Sequence, residues 1–365
     1  MVFLPNLLNL SIFKNQPFVK RIEAQSIDGI QKQLANVQRI LIMTHYNPDG
    51  DAIGSSLGLY HFLVAAGHRV DVVVPNEYPG FLQWMPGNEK ILLASKQPQA
   101  VLESIEQAEL IFFLDFNVLD RVQQLEDHFR KSSAPKILID HHPNPEPFAD
   151  ITVSTTEVSS TSELLYELLV SMEGEQAIDR NMAECLYAGI MTDTGSFSYN
   201  SSLPDTYYVV SRLIEKGIDK DRIYWRVYDN YSVDRMRLLG YCLNTKLKVF
   251  PEYGAAYISI NRSELKRFNY QPGDSEGFVN YPLSIQGVMF SVIFIEQEDY
   301  VKISFRSKGD FYANRFASSH FNGGGHQNAA GGYSELSLEE TLEKFESLLP
   351  EYKAQLLENH LYHAD

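Results

Sequence analysis

The chain is acidic and has 365 residues, which is long enough for two domains of ordinary size. Its 31 Lys and Arg against 47 Asp and Glu give a formal net charge of −16, which argues against binding long nucleic acid through many phosphate contacts. No apolar run approaches the roughly 20 residues that span a bilayer, and the two cysteines lie in apolar helical patterns that indicate neither a disulfide framework nor a thiolate metal site. We therefore expect a cytoplasmic protein without a membrane partner. A small phosphorylated substrate is compatible with this charge.

Residues 1–25 are predicted to form an N-terminal extension. Their apolar character is superficially that of a signal sequence, but no basic segment precedes the apolar residues and no small-residue cleavage site follows them. We expect this segment to be packed or partly mobile.

The first half of the chain alternates short apolar runs with helical patterns, and several of the runs end beside a carboxylate. Parallel strands joined by helical crossovers present their carboxyl ends at one edge of a sheet. The sequence therefore predicts an α/β fold with a parallel sheet whose functional edge collects these acids. The predicted strands are 39–43, 69–74, 109–115 and 136–140, and the predicted helices are 52–63, 117–130, 163–169 and 181–193.

The character of the chain changes after Lys246. We place an N-terminal domain at 26–203, a mostly helical linker at 204–245 and a smaller α+β domain at 246–365. The strands predicted in the last domain are 246–250, 254–260, 287–295 and 300–306, and its predicted helices are 262–268, 275–283, 313–318 and 336–358.

The predicted sheet edge gathers five acids and three imidazoles, which would repel strongly unless cations were present. Oxygen and imidazole ligands without a thiolate favour Mn²⁺, with Mg²⁺, Co²⁺ or Fe²⁺ as alternatives. One ion does not need so many carboxylates, so the sequence predicts two ions, about 3.5–4 Å apart, bridged by a carboxylate and a water. The residues concerned are His45, Asp49, Asp51, Asp115, Asp140, His141, His142 and Asp193.

Each of these signals alone has a purely structural explanation. An acid at a strand end often caps a helix or lies in a solvated turn, and 140–142 is compatible with a polar turn before Pro143. The loop 45–51 is harder to explain in this way, because it collects three ligand-type side chains within seven residues. These acids and imidazoles fall in four segments of the chain, at 45–51, 115, 140–142 and 193. Their joint occurrence favours a metal centre.

These motifs resemble those of the DHH phosphoesterases that carry a DHH-associated C-terminal domain. Within that family the chain is similar to the bacterial oligoribonucleases of nanoRNase type, which also act as phosphatases of 3′-phosphoadenosine 5′-phosphate (pAp). The resemblance implies a DHH metal-binding catalytic domain, a helical linker and a DHH-associated substrate-binding domain, with the active site in the interdomain cleft. The matching segments are 44–55, 113–115, 138–143, 189–195 and 323–326.

The resemblance also implies roles for the acids and imidazoles at the sheet edge. One metal ion would be held by His45, Asp49 and Asp115, and the other by Asp51, Asp115, His141 and Asp193, so that Asp115 bridges the two ions.

Two further positions beside these ligands receive roles from the resemblance. Asp140 would orient His141 through its free ring nitrogen. His142 would face the substrate, where it binds phosphate or donates a proton to the leaving oxygen.

Substrate contacts are expected from both domains. Arg121 resembles a phosphate-binding arginine at this spacing, although a solvent-facing helix arginine is an equally good interpretation. In the second domain, a strand ending in cations and a glycine-rich loop resemble the family's substrate-holding motif. The expected contacts there are Arg306, Ser307, Gly323, Gly324, Gly325 and His326.

The sequence thus predicts a manganese-dependent phosphoesterase with two Mn²⁺ per chain, Mg²⁺ or Co²⁺ being alternatives. It would use a metal-activated water to degrade short oligoribonucleotides (nanoRNA) to mononucleotides, as an exoribonuclease, and would convert pAp to AMP. The expected partners are short single-stranded RNA or a small nucleotide and not long duplex nucleic acid, and a homodimer is one possible assembly. Three alternatives stay open: a phosphodiesterase for a cyclic dinucleotide or its linear product, a pyrophosphatase or short-chain polyphosphatase, and a non-catalytic nucleotide sensor.

Overall fold

The computed structural model describes residues 21–36 and 38–361. The chain forms two compact units that divide between Val227 and Tyr228, within the predicted linker 204–245. Of the predicted N-terminal extension, residues 1–20 lie outside the described residues. None of the helices in the described part of the chain combines the length and apolar character that a membrane span requires.

The first unit is built on a six-stranded sheet. Its strands are β1 (Arg39–Thr44), β2 (Arg69–Val74), β3 (Ile91–Leu93), β4 (Leu110–Leu114), β5 (Lys136–Asp140) and β6 (Ile151–Ser154). The strand order is β3-β2-β1-β4-β5-β6, and every neighbouring pair is parallel, which confirms the predicted parallel α/β sheet. The central strands are almost entirely buried, as expected for a sheet covered by helices on both faces. The edge strands β3 and β6 escape the sequence pattern because they have only three and four residues.

The described residues of the first unit include eight helices, the last of which ends at the division between the units. They are α1 (Ala24–Gln33), α2 (Gly50–Ala65), α3 (Pro98–Gln107), α4 (Glu126–Lys131), α5 (Thr161–Glu173), α6 (Arg180–Asp193), α7 (Pro204–Glu215) and α8 (Lys220–Tyr228). The prediction of a single helix at 117–130 was wrong. A 3₁₀ segment at Leu119–Leu125 precedes α4, and Gln123 with φ 53° and ψ −126° interrupts the helical hydrogen-bond ladder.

Helices α2 and α6 approach each other closely behind the sheet edge. A Cβ on Gly54 of α2 would lie 2.6 Å from the carbonyl oxygen of Cys185 in α6. Only glycine permits this backbone separation. The close approach brings the N-terminus of α2 and the C-terminus of α6 to the same side of the sheet, where both helices contribute to the site described below.

The second unit contains a six-stranded mixed sheet. Its strands are β7 (Leu247–Phe250), β8 (Ala255–Ile260), β9 (Phe290–Glu296), β10 (Val301–Ser307), β11 (Gly324–His326) and β12 (Ala329–Ser334). The order is β11-β12-β10-β9-β8-β7, and β8 pairs parallel with β9 while the other pairs are antiparallel. A phenylalanine-rich core that includes Phe290, Phe305 and Phe345 packs against it. This architecture is the predicted α+β unit.

Over the part of the second unit that the structure describes, the helices are α9 (Val233–Tyr241), α10 (Arg262–Arg267), α11 (Ala313–His320) and α12 (Leu338–Leu361). The predicted α-helix at 275–283 is instead a 3₁₀ segment, Phe278–Ser284, which contains Pro282. The predicted glycine-rich loop 321–326 is also corrected, because its second half forms β11 and pairs with β12. The strands β11 and β12 were not predicted, because both contain glycines and glycine is unfavourable in strands.

Candidate metal centre

The loop after β1 ends earlier than predicted, because α2 begins at Gly50. Asp49 is the N-cap of this helix, and its Oδ1 accepts hydrogen bonds from the amides of Asp51 at 3.0 Å and Ala52 at 3.1 Å. Asp51 consequently lies in the first turn of α2 and not in the loop. One carboxylate oxygen of Asp49 is used for capping, and the second oxygen can serve as a ligand.

His45 presents one ring nitrogen to the site in the neutral form. Its Nδ1 lies 2.9 Å from the carbonyl oxygen of Tyr46, and because a carbonyl only accepts, the proton resides on Nδ1. Burial, together with the guanidinium of Arg121, lowers the pKa of His45 to about 4. Nε2, which lies 3.6 Å from Oδ2 of Asp115, is therefore an unprotonated nitrogen of the kind that binds metals.

Asp115 lies at the middle of the cluster. It follows β4 in the left-handed region with φ 66°, a conformation that turns its side chain away from the sheet ladder. Its Oδ1 accepts a hydrogen bond of 2.8 Å from Thr161 Oγ1 and lies 3.5 Å from His141 Nε2, while its Oδ2 faces His45. Burial and the nearby carboxylate of Asp49 raise the pKa of Asp115 well above its usual value. The two oxygens thus face different imidazoles, as a bridging carboxylate would.

The carboxylate of Asp51 is held by the N-terminus of α5. Its Oδ2 accepts from the amide of Thr161 at 2.6 Å, and its Oδ1 accepts from the amide of Ser162 at 2.9 Å. Burial and the charge of Asp115 raise the pKa of Asp51 well above its usual value. A Cβ on Gly189 of α6 would lie 2.9 Å from Asp51 Oδ1, so this glycine gives the carboxylate its space.

Thr161 and Ser162 also belong to the candidate site, although the sequence did not predict them there. The serine-rich run 159–162 does indicate a helix start, and Ser160 indeed caps α5 by accepting from the amide of Glu163 at 3.1 Å. The pattern does not reveal that the next two amides bind a carboxylate 110 residues earlier in the chain. That pairing depends on how α2 and α5 pack.

His141 connects the remaining acids. Its Nε2 lies 3.5 Å from Asp115, 3.6 Å from Oδ2 of Asp193 and 3.9 Å from Oδ2 of Asp51. Asp193 was grouped with the strand-end residues, but it is contributed by the last turn of α6. The structure nevertheless brings it to the same edge of the sheet.

Asp140 requires a correction, since it was expected to orient His141. Its Oδ1 lies 2.7 Å from Nδ1 of His142 instead. Asp140 ends β5 and is fully buried, and its Oδ2 has no hydrogen-bond partner among the described residues. This pair directs the Nε2 of His142 away from Asp140.

Within the first unit, ligand-capable atoms lie within 4.8 Å of one another in three groups, two of which include Asp115. Two of these groups contain the residues predicted for the two metal sites, except that Asp115 occurs in the first group and not in the second. The carboxyl groups of Asp51 and Asp115 are buried and their pKa values are raised, so a cation would relieve the unfavourable ionisation of these two groups. Oxygen and imidazole donors without thiolate therefore fit one or more divalent cations. The groups are His45, Asp49 and Asp115; Asp51, His141 and Asp193; and Asp115, Asp140 and His142.

Arg121 lies in the 3₁₀ segment that replaces the predicted helix, beside the loop after β1. Its carbonyl oxygen accepts a hydrogen bond of 2.7 Å from the amide of Tyr46. Its side chain is partly exposed, and its charge acts on the neighbouring His45. An anion at the metal centre would lie near this guanidinium.

The substrate contacts predicted in the second unit differ in whether their polar groups are available to a ligand. Arg306 of β10 is half-buried, and its Nε has no hydrogen-bond partner among the described residues. Ser307 was expected to contact substrate, but it is buried, donates to the carbonyl of Phe311 at 2.6 Å and accepts from Asn328 at 2.9 Å. Its hydroxyl stabilises the turn after β10, which corrects that prediction.

The three consecutive glycines also differ from one another. A Cβ on Gly323 would lie 2.2 Å from the carbonyl oxygen of Gly331, and one on Gly325 would lie 2.7 Å from that of Ala329. Both are therefore needed for the close approach to β12. Gly324 is exposed with open space at its Cβ position, and His326 ends β11.

Two family models match the chain: the DHH family, N-terminal domain, over residues 39–190, and the DHHA1 domain over residues 253–355. The bifunctional oligoribonuclease and PAP phosphatase NrnA of Bacillus subtilis is 29% identical, over 86% of this chain and 96% of the relative. The protein of the same name from Thermus thermophilus is 30% identical, over 80% of this chain and 83% of the relative. A solved structure of an exopolyphosphatase-related protein from Bacteroides fragilis is 47% identical, with a TM-score of 0.88 and coverage of 92% of this chain and 99% of that one.

Proposed function

We propose a function from the premise that this chain belongs to the DHH family of phosphoesterases, with a DHH domain followed by a DHHA1 domain. Enzymes of this family are metal-dependent, and the first unit has groups of acids and imidazoles suited to metal ions. The proposed activity is manganese-dependent hydrolysis of very short oligoribonucleotides to mononucleotides, together with removal of a phosphate from pAp.

The observation that carries the metal part of this proposal is the position of Asp115, whose Oδ2 lies 3.6 Å from Nε2 of His45 and whose Oδ1 lies 3.5 Å from Nε2 of His141. In the proposed dinuclear site, one ion is held from the side of His45 and Asp49. The other is held from the side of Asp51, His141 and Asp193. Asp115 faces His45 with one oxygen and His141 with the other, which supports a bridging role.

When bound, the metal ions supply Lewis acidity, which lowers the pKa of a water and offsets charge on the phosphoryl oxygens. Two side chains beside the proposed metal sites, those of His142 and Arg121, would contact the phosphate. The contact with Asp140 fixes the ring orientation of His142, whose Nε2 would bind a phosphoryl oxygen or donate a proton to the leaving oxygen. Arg121 would contribute a fixed positive charge beside the reacting phosphate.

The substrate part of the proposal is supported by the names of the relatives from Bacillus subtilis and Thermus thermophilus, both described as oligoribonuclease and PAP phosphatase. The net charge of −16 suits substrates with few phosphates. In the second unit, Arg306 and the exposed backbone at Gly324 stay predicted contacts for the non-reacting part of the substrate.

A second candidate function is hydrolysis of short polyphosphate or pyrophosphate. It is favoured by the relative from Bacteroides fragilis, which is described as exopolyphosphatase-related. The same metal centre would perform this reaction, because the bond broken is again between phosphorus and oxygen. The two candidates therefore differ in the substrate contacts and not in the catalytic groups.

Calorimetric titration with Mn²⁺ tests the metal centre. Wild-type protein should bind about two ions per chain, and Asp115→Asn should abolish or strongly weaken both binding events. Asp127→Asn is the matched control, because Asp127 is an exposed acid of α4 in the same unit. Binding of fewer than two ions by wild-type protein, or unchanged binding by Asp115→Asn, would contradict the dinuclear site.

A substrate panel separates the two candidate functions. The Mn²⁺-loaded protein is incubated separately with RNAs of two to five nucleotides, pAp, cyclic di-AMP, pyrophosphate and short polyphosphate. We expect the highest kcat/KM for the short RNAs and measurable release of phosphate from pAp. Rapid turnover of pyrophosphate or polyphosphate alone would replace the first candidate by the second.

A further inference from the structure

A buried ion cluster lies behind the N-terminus of α5, and none of its residues belongs to the candidate metal centre. Arg21 Nη1 lies 3.2 Å from Glu167 Oε1 and 3.8 Å from Glu163 Oε1, and its Nη2 contacts Asp205 of α7. The side chains of both glutamates are fully buried, and that of Arg21 is 14% exposed. One guanidinium thus holds three carboxylates on two helices.

Glu163 fixes the turn that begins α5. Its Oε2 accepts from the amide of Ser159 at 3.1 Å, from the hydroxyl of Ser159, and from the hydroxyl of Thr206 at 2.8 Å. The side chain therefore joins the residues before α5 to the start of α7. A change in its position would move the first turn of α5.

That first turn supports the metal centre directly. The amides of Thr161 and Ser162, immediately before Glu163, donate to the two oxygens of Asp51. Thr161 also donates through its hydroxyl to Asp115. The geometry of two proposed metal ligands thus depends on the segment that Glu163 anchors.

Arg21 supplies the positive charge that compensates the buried carboxylate of Glu163. Within residues 21–36 and 38–361, it is the only cation paired with Glu163 or Glu167. One oxygen of each glutamate has no hydrogen-bond partner in this part of the chain. Removal of one partner from a buried ion pair is strongly unfavourable, because the remaining charge is left uncompensated.

We infer that Arg21 is a positioning residue for the metal centre, acting through Glu163 and the first turn of α5. Arg21 lies outside residues 39–190, the segment matched by the DHH family model. The inference rests on the proposed metal site, but not on the identity of the substrate.

The test measures Mn²⁺ binding by calorimetry in full-length variants, well below the unfolding temperature of each. Arg21→Met should raise the apparent Kd for Mn²⁺ by about tenfold, the size typical of lost support for metal ligands, and should lower kcat more than it raises KM. Arg21→Lys should show a smaller rise, since lysine keeps the charge without the forked geometry that reaches several carboxylates. The control is Arg180→Met, which removes an exposed ion pair with Glu184 on α6 and should leave Mn²⁺ binding unchanged.

A double variant separates positioning from general stabilisation. Above pH 8, where Glu167 is ionised, Glu167→Gln combined with Arg21→Met removes one of the uncompensated charges and should restore much of the Mn²⁺ affinity. Unchanged Mn²⁺ affinity in both Arg21→Met and Arg21→Lys would overturn the inference while leaving the metal site intact. If Arg21→Met does not fold, wild-type affinity in Arg21→Lys is sufficient to overturn it. Failure of wild-type protein to bind Mn²⁺ would overturn the proposed metal site and this inference together.

Discussion

Asp140 and His142 form the shortest carboxylate–imidazole contact among the described residues of the metal centre, at 2.7 Å. The imidazoles of His45 and His141 lie at least 3.5 Å from the carboxylates around them, which leaves room for ions between those groups. The site therefore contains two kinds of arrangement: one hydrogen-bonded pair, Asp140 and His142, and groups of acids and imidazoles that are spaced further apart. The pair is suited to proton donation or phosphate binding, and the spaced groups are suited to metal binding.

Replacement of Asp140 tests this separation. Asp140→Asn should lower kcat by about 10–100-fold, because a neutral amide orients the imidazole of His142 less firmly than a carboxylate does. Mn²⁺ affinity should stay within about threefold of wild type, measured by calorimetry beside steady-state kinetics. A parallel loss of Mn²⁺ affinity would mean that Asp140 serves the metal ligands instead.

Glu167 allows a second prediction at the scale of single residues, on pH. Burial raises its pKa from 4.5 to about 8, although Arg21 opposes the rise and Glu163 and Asp205 add to it. Between these two pH values the folded protein holds a proton that the unfolded chain has lost, so its stability falls as pH rises. Glu167→Gln should therefore become more stable relative to wild type as pH rises, by on the order of 2–4 kcal/mol above pH 8. Urea denaturation at pH 5, 7 and 8.5 measures this difference, and a pH-independent difference would contradict it.

At the scale of elements, the centre depends on the convergence of α2, α5 and α6 at the carboxyl edge of the sheet. Helix α2 supplies Asp51, α5 supplies the amides that hold it, and α6 supplies Asp193. A Cβ on Gly189 of α6 would lie 2.0 Å from Ser162 Oγ of α5, so this glycine sets the helix separation.

Gly189→Ala should therefore separate α5 from α6 and disturb Asp51. We expect a loss of stability of about 1–3 kcal/mol, as for other overpacked sites, together with weaker Mn²⁺ binding. Gly240→Ala in α9 is the control, because no atom lies within 4 Å of the position of its added Cβ, and alanine favours a helix there. Denaturant titration and calorimetry measure both effects. Wild-type Mn²⁺ affinity in Gly189→Ala would show that the helix separation is not critical.

At the scale of the whole molecule, the metal centre couples charge to folding. Asp51 and Asp115 are buried with raised pKa values, so the metal-free protein should lose stability as pH rises above the usual carboxyl range. Cation binding reverses this trend, because the deprotonated carboxylates are the ligand form.

Manganese should therefore raise the unfolding temperature more at pH 8 than at pH 6. A free Mn²⁺ concentration of 100 times Kd corresponds to about 2.7 kcal/mol of stabilisation. Differential scanning calorimetry with Mn²⁺ and with EDTA at both pH values measures the effect. An equal shift at both pH values would contradict the role of the buried acids as ligands.

The parallel sheet and the change to an α+β unit follow from the sequence alone, and the sequence also predicts which acids and imidazoles form the candidate metal site. Apolar strands of ordinary length and acids at their ends are local patterns, and local patterns can be identified without coordinates. The strands β3 and β6 were not predicted because they are short, and the glycine-rich hairpin was not predicted because glycine is unfavourable in strands. The tertiary structure alone decided that Asp140 binds His142 and that the amides of α5 hold Asp51. Those contacts depend on backbone direction and helix packing, which spacing along the chain does not specify.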